Sequence, residues 1–478
     1  MRKDVNSLQF LDEDDLDQIE DTATRLLDEV GVWLEHAGAR ERLHGLGCHT
    51  TGHRTHIPHH TVAWALENVT PHTDFYNVDG SYAFSLNDHS FRFHNSGGLP
   101  FTLDLDSGRR RRATRQDIAD MSCLLDALPN VDVIIPMYSA QDVPEELLAV
   151  ASTDVMLRHM RKPFSAFAID RPEDVPYVVE MAAACCGGMD AFRACPTMYI
   201  SVSPVSPLRF TEAIVETIMA VARSGAPLNP LPAPSLGATC PVTMAGALAQ
   251  QHAEILASFV IAAAARSGVP VTYCSRLSPI DLRSAVFSWG GPEVGITGAC
   301  AAQLARRIGL PCDAYGFATS ACSMDAQAAY ERLTNAMLPS LGGVDILSGV
   351  ASVESLLTGA LDVAIIDNEL IGLLDHVARG CPVDQQTLAF DVMQEVMTRD
   401  GVFLGERHTV EQIRQGAIWL PVVGDRASSP DSVGEGVIAR ARTRAREILR
   451  THEPDPLPGD VTQHLDEIMD RARHELLP

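Results

Sequence analysis

The sequence predicts an α/β fold closed into a (β/α)8 TIM barrel, carrying an N-terminal α/β cap and a C-terminal helical extension. Three observations predict it. The chain has 478 residues, more than the about 250 that such a barrel typically takes. From 126 to 385 an apolar strand, a Pro/Ser/Gly-rich loop and an amphipathic helix recur as a unit, the pattern of parallel strands joined by crossovers. The strand-like runs number eight, at 131–138, 163–169, 197–203, 228–234, 269–275, 311–317, 344–350 and 363–367. An open doubly wound sheet shares the alternation, and the count of eight favours closure.

The elements follow in order. Leu16, Ile19, Ala23, Leu26, Leu27 and Val30 recur at helical spacing, and Gly31 stands where a helix C-terminus favours it. From Gly47 to Arg112 the chain changes to short alternating pieces such as FYNVDG, YAFSLND and PFTLDLDSG, which read as strands and tight turns. Residues 1–125 are therefore expected to form the helix and small cap, and 126–385 the barrel. Within the barrel, helices are expected at Phe210–Arg223, Ala245–Arg266, Glu293–Ile308 and Ala326–Leu341. Residues 386–478 read as a helical extension, interrupted by DRASSPDS and THEPDPLPGD, with a final amphipathic helix from Val461 to Leu477. That tail is expected to pack on the barrel, and a homo-oligomer is expected.

Composition narrows the function classes. Apolar residues at 46% and charged residues at 21% are globular proportions and exclude a disordered chain. A net charge of −25 opposes nucleic acid and anionic membrane. Eleven cysteines without CxxC spacing read as reduced thiols. The acidic N-terminus lacks the apolar core of a signal peptide, and the apolar stretch Ile255 to Ala265 is too short to span a bilayer. A cytoplasmic enzyme is expected, with no membrane anchor.

In such a barrel the loops after the strands share one mouth, so binding residues are sought there. The ends of the predicted strands carry Tyr138-Ser139, Ser203-Pro204, the Gly237–Pro241 loop and Tyr273-Cys274-Ser275-Arg276. Farther on come Tyr315, Phe317, Ser320, Asp325 and Gln327, then Glu354, and finally Asp367-Asn368-Glu369. Aromatic faces and acids together suit a cation with no hydrogen-bond donor, such as a quaternary ammonium. Tyr273, Tyr315 and Phe317 equally suit the filling of the barrel interior.

The stretch GATCPVTMAGALAQQHAEILASF (237–259), with WGGPE (289–293), QLARRIGLP (303–311), DAQAAYE (325–331) and VAIIDNEL (363–370), resembles the trimethylamine methyltransferase family. FHNSGGLPFTLDLDSGRRRRATRQDI (93–118) and WLPVVGDR (419–426) extend the resemblance over nearly the whole chain. It implies a barrel that moves a methyl group from a methylated amine to the Co(I) corrinoid of a separate partner protein, with no corrinoid bound tightly by this chain. Pyrrolysine is absent, and Ser320-Ala321-Cys322-Ser323-Met324 stands before Asp325, where relatives often carry an Asp-Ser-Lys type run. The non-pyrrolysine branch is thus indicated, with glycine betaine as the first substrate expected and proline betaine, carnitine, γ-butyrobetaine and trimethylamine still open.

That chemistry asks for positioning. A quaternary amine that gives up a methyl leaves as a neutral tertiary amine, so the leaving group needs no proton and no covalent nucleophile is expected. A betaine carboxylate needs a donor. Arg276 is the first candidate and His94 the second, with an Arg276–Asp281 ion pair as the alternative. Glu293 stands at a helix start, where a capping role competes with substrate binding. Asp367 and Glu369, side by side at the last predicted strand, are read as facing the ammonium. Tyr138, Tyr315, Phe317 and Glu354 complete the expected substrate-binding set.

Other signals carry less. CHTTGHRTHIPHH (48–60) and Cys240, Cys274, Cys312 and Cys322 invite a zinc reading, but no spacing matches a standard site and no metal is expected. Arg109 to Arg112 form a basic run before a helix start at Thr114-x-x-Asp117, open to a solvated turn or to docking of an acidic partner. A Schiff-base barrel enzyme is disfavoured, because lysine occurs only at 3 and 162. A betaine sensor without catalysis shares every one of these features.

Overall fold

The computed structural model describes residues 8–86, 90–166, 169–399, 401–426 and 436–477, so parts of the predicted strand 163–169 and of DRASSPDS lie outside the described residues. Eight parallel strands close into a ring. They are β1 (Arg92–Asn95), β2 (133–134), β3 (Phe164–Ala166), β4 (Met198–Val202), β5 (Leu228–Pro230), β6 (Val269–Val271 and Tyr273–Ser275), β7 (Cys312–Tyr315) and β8 (Ile346–Val350). His94 pairs with Val133, Ile134 with Phe164, Ile200 with Leu228, Leu228 with Val271, Tyr273 with Cys312 and Asp313 with Ile346. Ile346 and Leu347 then pair with Arg92 and Phe93, and the ring is complete.

That closure corrects the predicted strand count. Val363–Asp367 is not a strand but the start of the helix Leu361–Arg379, whose buried face runs through Val363, Ile366, Asp367, Ile371, Leu374 and Ala378. The missing strand is β1, inside the 1–125 segment read as a cap, so the first strand–helix unit starts there. Each strand is followed by its helix, among them Arg115–Ala127, Glu212–Ser224, Met244–Ala265, Pro292–Arg307 and Ala326–Gly342. Among the described residues Met244–Ala265 alone is long and apolar enough to cross a membrane, and its apolar window is 94% buried within the fold.

The N-terminal residues brace and seal the barrel. Asp12 caps the helix Glu13–Arg25 through a capping box, and Gly31 takes φ +75° at its end, the left-handed turn that glycine permits. The hairpin of Asp74–Tyr76 and Tyr82–Ser85 brings Phe75, Phe84 and Leu86 against Val133, Tyr199 and Ile346. Those three stand at or near the beginnings of β2, β4 and β8, so the hairpin plugs the N-terminal end of the barrel.

The last helices return to the barrel wall. Arg442 of the helix Val437–Thr451 pairs with Asp362, and Arg158 and Glu180 of the barrel helices pair with Asp466 and Arg471 of the helix Gly459–Leu476. Between them and the barrel, Phe390–Thr398 and Arg407–Arg414 leave much of their apolar side exposed, with Phe390 and Met397 each 67% accessible.

Candidate functional site

In a strand, alternate side chains face opposite sides, and in β4 that places Tyr199 and Ser201 inside the barrel and Met198, Ile200 and Val202 toward the helices. Ser165 of β3, Asp313 and Tyr315 of β7 and Ser348 of β8 likewise face inward. With His94 of β1 and Arg276 just past β6 they line a cavity of about 160 Å³ at the C-terminal end of the barrel. Its size suits a small molecule rather than the larger ligands that fill pockets of about 300–1,000 Å³.

A charge cluster forms the wall. Arg276 is 3% exposed and Asp313 1%. Arg276 Nη2 donates to Asp313 Oδ1 at 2.7 Å, and Nη1 donates to the carbonyls of Ser275 at 2.9 Å and Asp313 at 3.1 Å. Those bonds use three of the five guanidinium N–H groups, and Nε–H and one Nη2–H have no bond to the described residues. The guanidinium also lies 4.8 Å from the centre of the Tyr315 ring, which packs at 4.4 Å against Trp289. On the other side, His94 Nδ1 stands 2.7 Å from the Asn95 carbonyl and Nε2 3.4 Å from Asp313 Oδ1, while Asn229 Nδ2 donates to Asp313 Oδ2 at 3.2 Å.

Electrostatics fix the charges. Burial alone would raise the Asp313 carboxyl, but Arg276 and His94 outweigh it and hold it down to about 2. Burial works against the Arg276 charge, and Asp313 overrides it, so the guanidinium stays charged. Burial pushes the Tyr315 phenol up to about 12 and keeps it neutral. Two hydroxyls at the cavity, Tyr199 Oη and Ser348 Oγ, are buried without a hydrogen-bond partner among the described residues. A fixed cation with spare donors beside neutral rings and unpaired hydroxyls can bind a small carboxylate and hold it still.

The structure thus brings together His94, Arg276 and Tyr315 of the expected residues, and pairs Arg276 with Asp313 while Asp281 pairs with Arg283. It places the others elsewhere. Tyr138 is buried, with its hydroxyl 3.1 Å from Thr102 Oγ1, and Phe317 packs 5.4 Å from the Phe93 ring. Glu354 pairs with Arg110 at 2.8 Å. Glu293 lies in the first turn of Pro292–Arg307, the helix-start position. Asp367 and Glu369 lie outside the lining of the cavity. As members of a helix they point to different partners: Asp367 forms a fully buried ion pair with Arg332, and Glu369 accepts from the backbone N–H groups of Val422, Val423 and Gly424.

Asp313, Tyr199, Ser201 and Ser348 lie outside the expected set, because they stand within strands rather than in the loops after them. Their signal was present: each is a polar residue at an inward position of an otherwise apolar run. The segment 48–60 forms the hairpin of His49–Thr51 and Arg54–His56 and enters the helix His59–Glu67, and among the described residues no group of three or more His, Cys, Asp or Glu is placed to hold a metal. In the basic run, Arg110 and Arg111 are paired with Glu354 and Asp117.

Comparison with known proteins agrees over the whole length. Glycine betaine methyltransferase of Desulfitobacterium hafniense is 28% identical over 462 residues, 95% of each chain. Trimethylamine methyltransferase MttB of the same species is 29% identical, over 80% of this chain and 77% of that one. Trimethylamine methyltransferase MttB2 of Methanosarcina mazei is 30% identical, over 75% and 73%. Among solved structures, monomethylamine methyltransferase of Methanosarcina barkeri aligns over 99% of this chain and 97% of that one with 13% identity and a TM-score of 0.49. The family description trimethylamine methyltransferase (MTTB) matches residues 1–477, and the chain belongs to that family.

Proposed function

We propose that this chain is a methyltransferase that takes a methyl group from a small carboxylated quaternary amine, glycine betaine first, and passes it to the Co(I) corrinoid of a separate partner protein. One observation carries the substrate choice: Arg276, buried and charged, keeps two N–H donors for a cavity large enough only for a small molecule. A carboxylate is the group such donors recognise. Family membership and the names of the relatives support methyl transfer from a methylated amine.

On this reading the chain works by placement. Arg276 takes the substrate carboxylate, and Asp313 and His94 keep the guanidinium from swinging away. Because Asp313 already balances Arg276, a zwitterion enters without adding net charge to a buried site, which limits its desolvation cost. The sealed lower end of the barrel directs the ammonium toward the mouth. A corrinoid carried by the partner would supply a reduced cobalt as the nucleophile. As the N–CH3 bond breaks, its electron pair stays on nitrogen, the positive charge disappears, and a site drier than water favours that loss. All eleven cysteines are free, which fits a reducing cytoplasm.

The test mixes the purified chain with chemically reduced cob(I)alamin and a panel of glycine betaine, proline betaine, carnitine, γ-butyrobetaine and trimethylamine, and follows methylcobalamin by its visible absorbance. Turnover with glycine betaine and none with trimethylamine is expected. Turnover with trimethylamine alone overturns the substrate choice. Betaine binding by calorimetry with no turnover, even with a corrinoid protein from a relative's system, overturns catalysis and favours a sensor.

A further inference from the structure

The Arg276–Asp313 pair lines part of the cavity, and Tyr199 and Ser348 line it too. Tyr199 is 3% exposed and Ser348 2%, yet neither Tyr199 Oη nor Ser348 Oγ has a partner among the described residues. The neighbouring serines are paired: Ser165 Oγ donates to the Ala166 carbonyl at 2.7 Å, and Ser201 Oγ accepts from Asn229 at 3.2 Å, while Asn229 Oδ1 and the His72 ring nitrogens are also unpaired among the described residues. A buried hydroxyl left unpaired costs about 1–3 kcal/mol, and two at one small cavity mark a surface built to be completed by a ligand.

We infer that Tyr199 and Ser348 are specificity-determining residues whose hydroxyls donate to the substrate carboxylate together with Arg276. The inference rests on the carboxylated-amine reading above and adds to it which residues read the carboxylate. An ionised carboxylate offers about four acceptor sites and no donor. The two remaining N–H groups of Arg276 and the hydroxyls of Tyr199 and Ser348 are four donors on residues that line one cavity. A protonated methylamine or tetramethylammonium has no atom that accepts from any of them, and on binding would leave all four unpaired. The discrimination then lies in unsatisfied donors, which reject the wrong ligand more strongly than pocket shape does.

Full-length Tyr199→Phe and Ser348→Ala test this by calorimetry with glycine betaine and with tetramethylammonium, and by thermal unfolding without ligand. Each variant is expected to weaken glycine betaine about tenfold, to bind tetramethylammonium as tightly as the wild type or more tightly, and to keep or raise the ligand-free unfolding midpoint, because an unpaired hydroxyl has been removed. A hydroxyl with a structural partner instead lowers that midpoint when deleted. Unchanged betaine affinity in both variants, or a lowered midpoint with both ligands weakened alike, overturns the assignment. Wild-type protein that binds no carboxylated amine overturns the underlying reading as well, and the two failures are told apart by that control.

Discussion

Arg276 and Asp313 meet at 2.7 Å inside the barrel, one from the loop after β6 and the other from the middle of β7, and neither reaches bulk solvent. The arginine can therefore present itself to a ligand only in the orientation its partner permits.

Removing that partner separates holding from binding. Asp313→Ala is expected to lose about 3–5 kcal/mol of stability, because a buried guanidinium is left without its countercharge. Arg276→Met, which fills similar volume without charge, strands Asp313 instead and is expected to abolish betaine binding. Urea titrations and calorimetry on both variants check this, and a Met variant that binds betaine normally removes Arg276 from the site.

The second buried pair has a different expected outcome. Asp367 and Arg332 are each completely buried, and Asp367 also accepts from Ala351 N at 2.7 Å. Asp367→Ala is expected to cost about 3–5 kcal/mol while the folded fraction keeps the wild-type Kd for glycine betaine. A large Kd change at full folding would return Asp367 to the substrate.

Acid sensitivity follows from two neutral histidines. Burial pushes His72 down to about 3 and His252 to about 4, both from 6.5. Between those values and 6.5 the unfolded chain binds protons that the folded chain refuses, so this stability is complete above pH 6.5 and declines as pH falls. Asp132 and Asp174, raised by burial to about 6, act with the opposite sign, since their folded forms protonate first. His72→Phe isolates the effect. Going from pH 7.5 to pH 5, its urea stability is expected to fall less than that of the wild type, by about 2 kcal/mol, and equal falls would count against a neutral His72.

The apolar side of the C-terminal extension bears on assembly. Phe390 and Met397, each 67% accessible, and Leu404, 85% accessible, leave large apolar side chains open to solvent. A second copy of the chain is the expected cover, in keeping with the two-fold interfaces of most soluble oligomers. Phe390→Asp with Met397→Asp should convert the oligomer to monomer in sedimentation velocity, and a wild type that sediments as a monomer refutes it.

Much of the barrel was readable from sequence, for reasons visible in particular residues. Helix bounds such as Ala326–Gly342 fell within a residue or two of expectation because Asp325 caps its start and Gly343 turns its end. The eighth strand was misassigned because VAIID is as apolar and β-branched as a strand, and only the continuation through Ile371 and Leu374 shows helical period. RFHN was passed over for the opposite reason: Arg92 and His94 are polar because the inside of β1 meets an ion network below and the cavity above. Of the residues that line the cavity, Arg276, His94 and Tyr315 belong to the expected set. Asp313, Tyr199 and Ser348 do not, because they stand within strands and the expectation rests on strand ends.

The Phe75–Phe84–Leu86 plug has a kinetic meaning. With Phe75, Phe84 and Leu86 packed across the lower end, the described residues leave the mouth as the way into the cavity, the same opening over which, on the proposed reading, a methyl-accepting protein settles. On the proposed reading the amine has to be aboard before the acceptor arrives, and the demethylated amine cannot leave until the acceptor has gone. Turnover then follows a compulsory order, and excess acceptor slows the enzyme by covering an empty barrel.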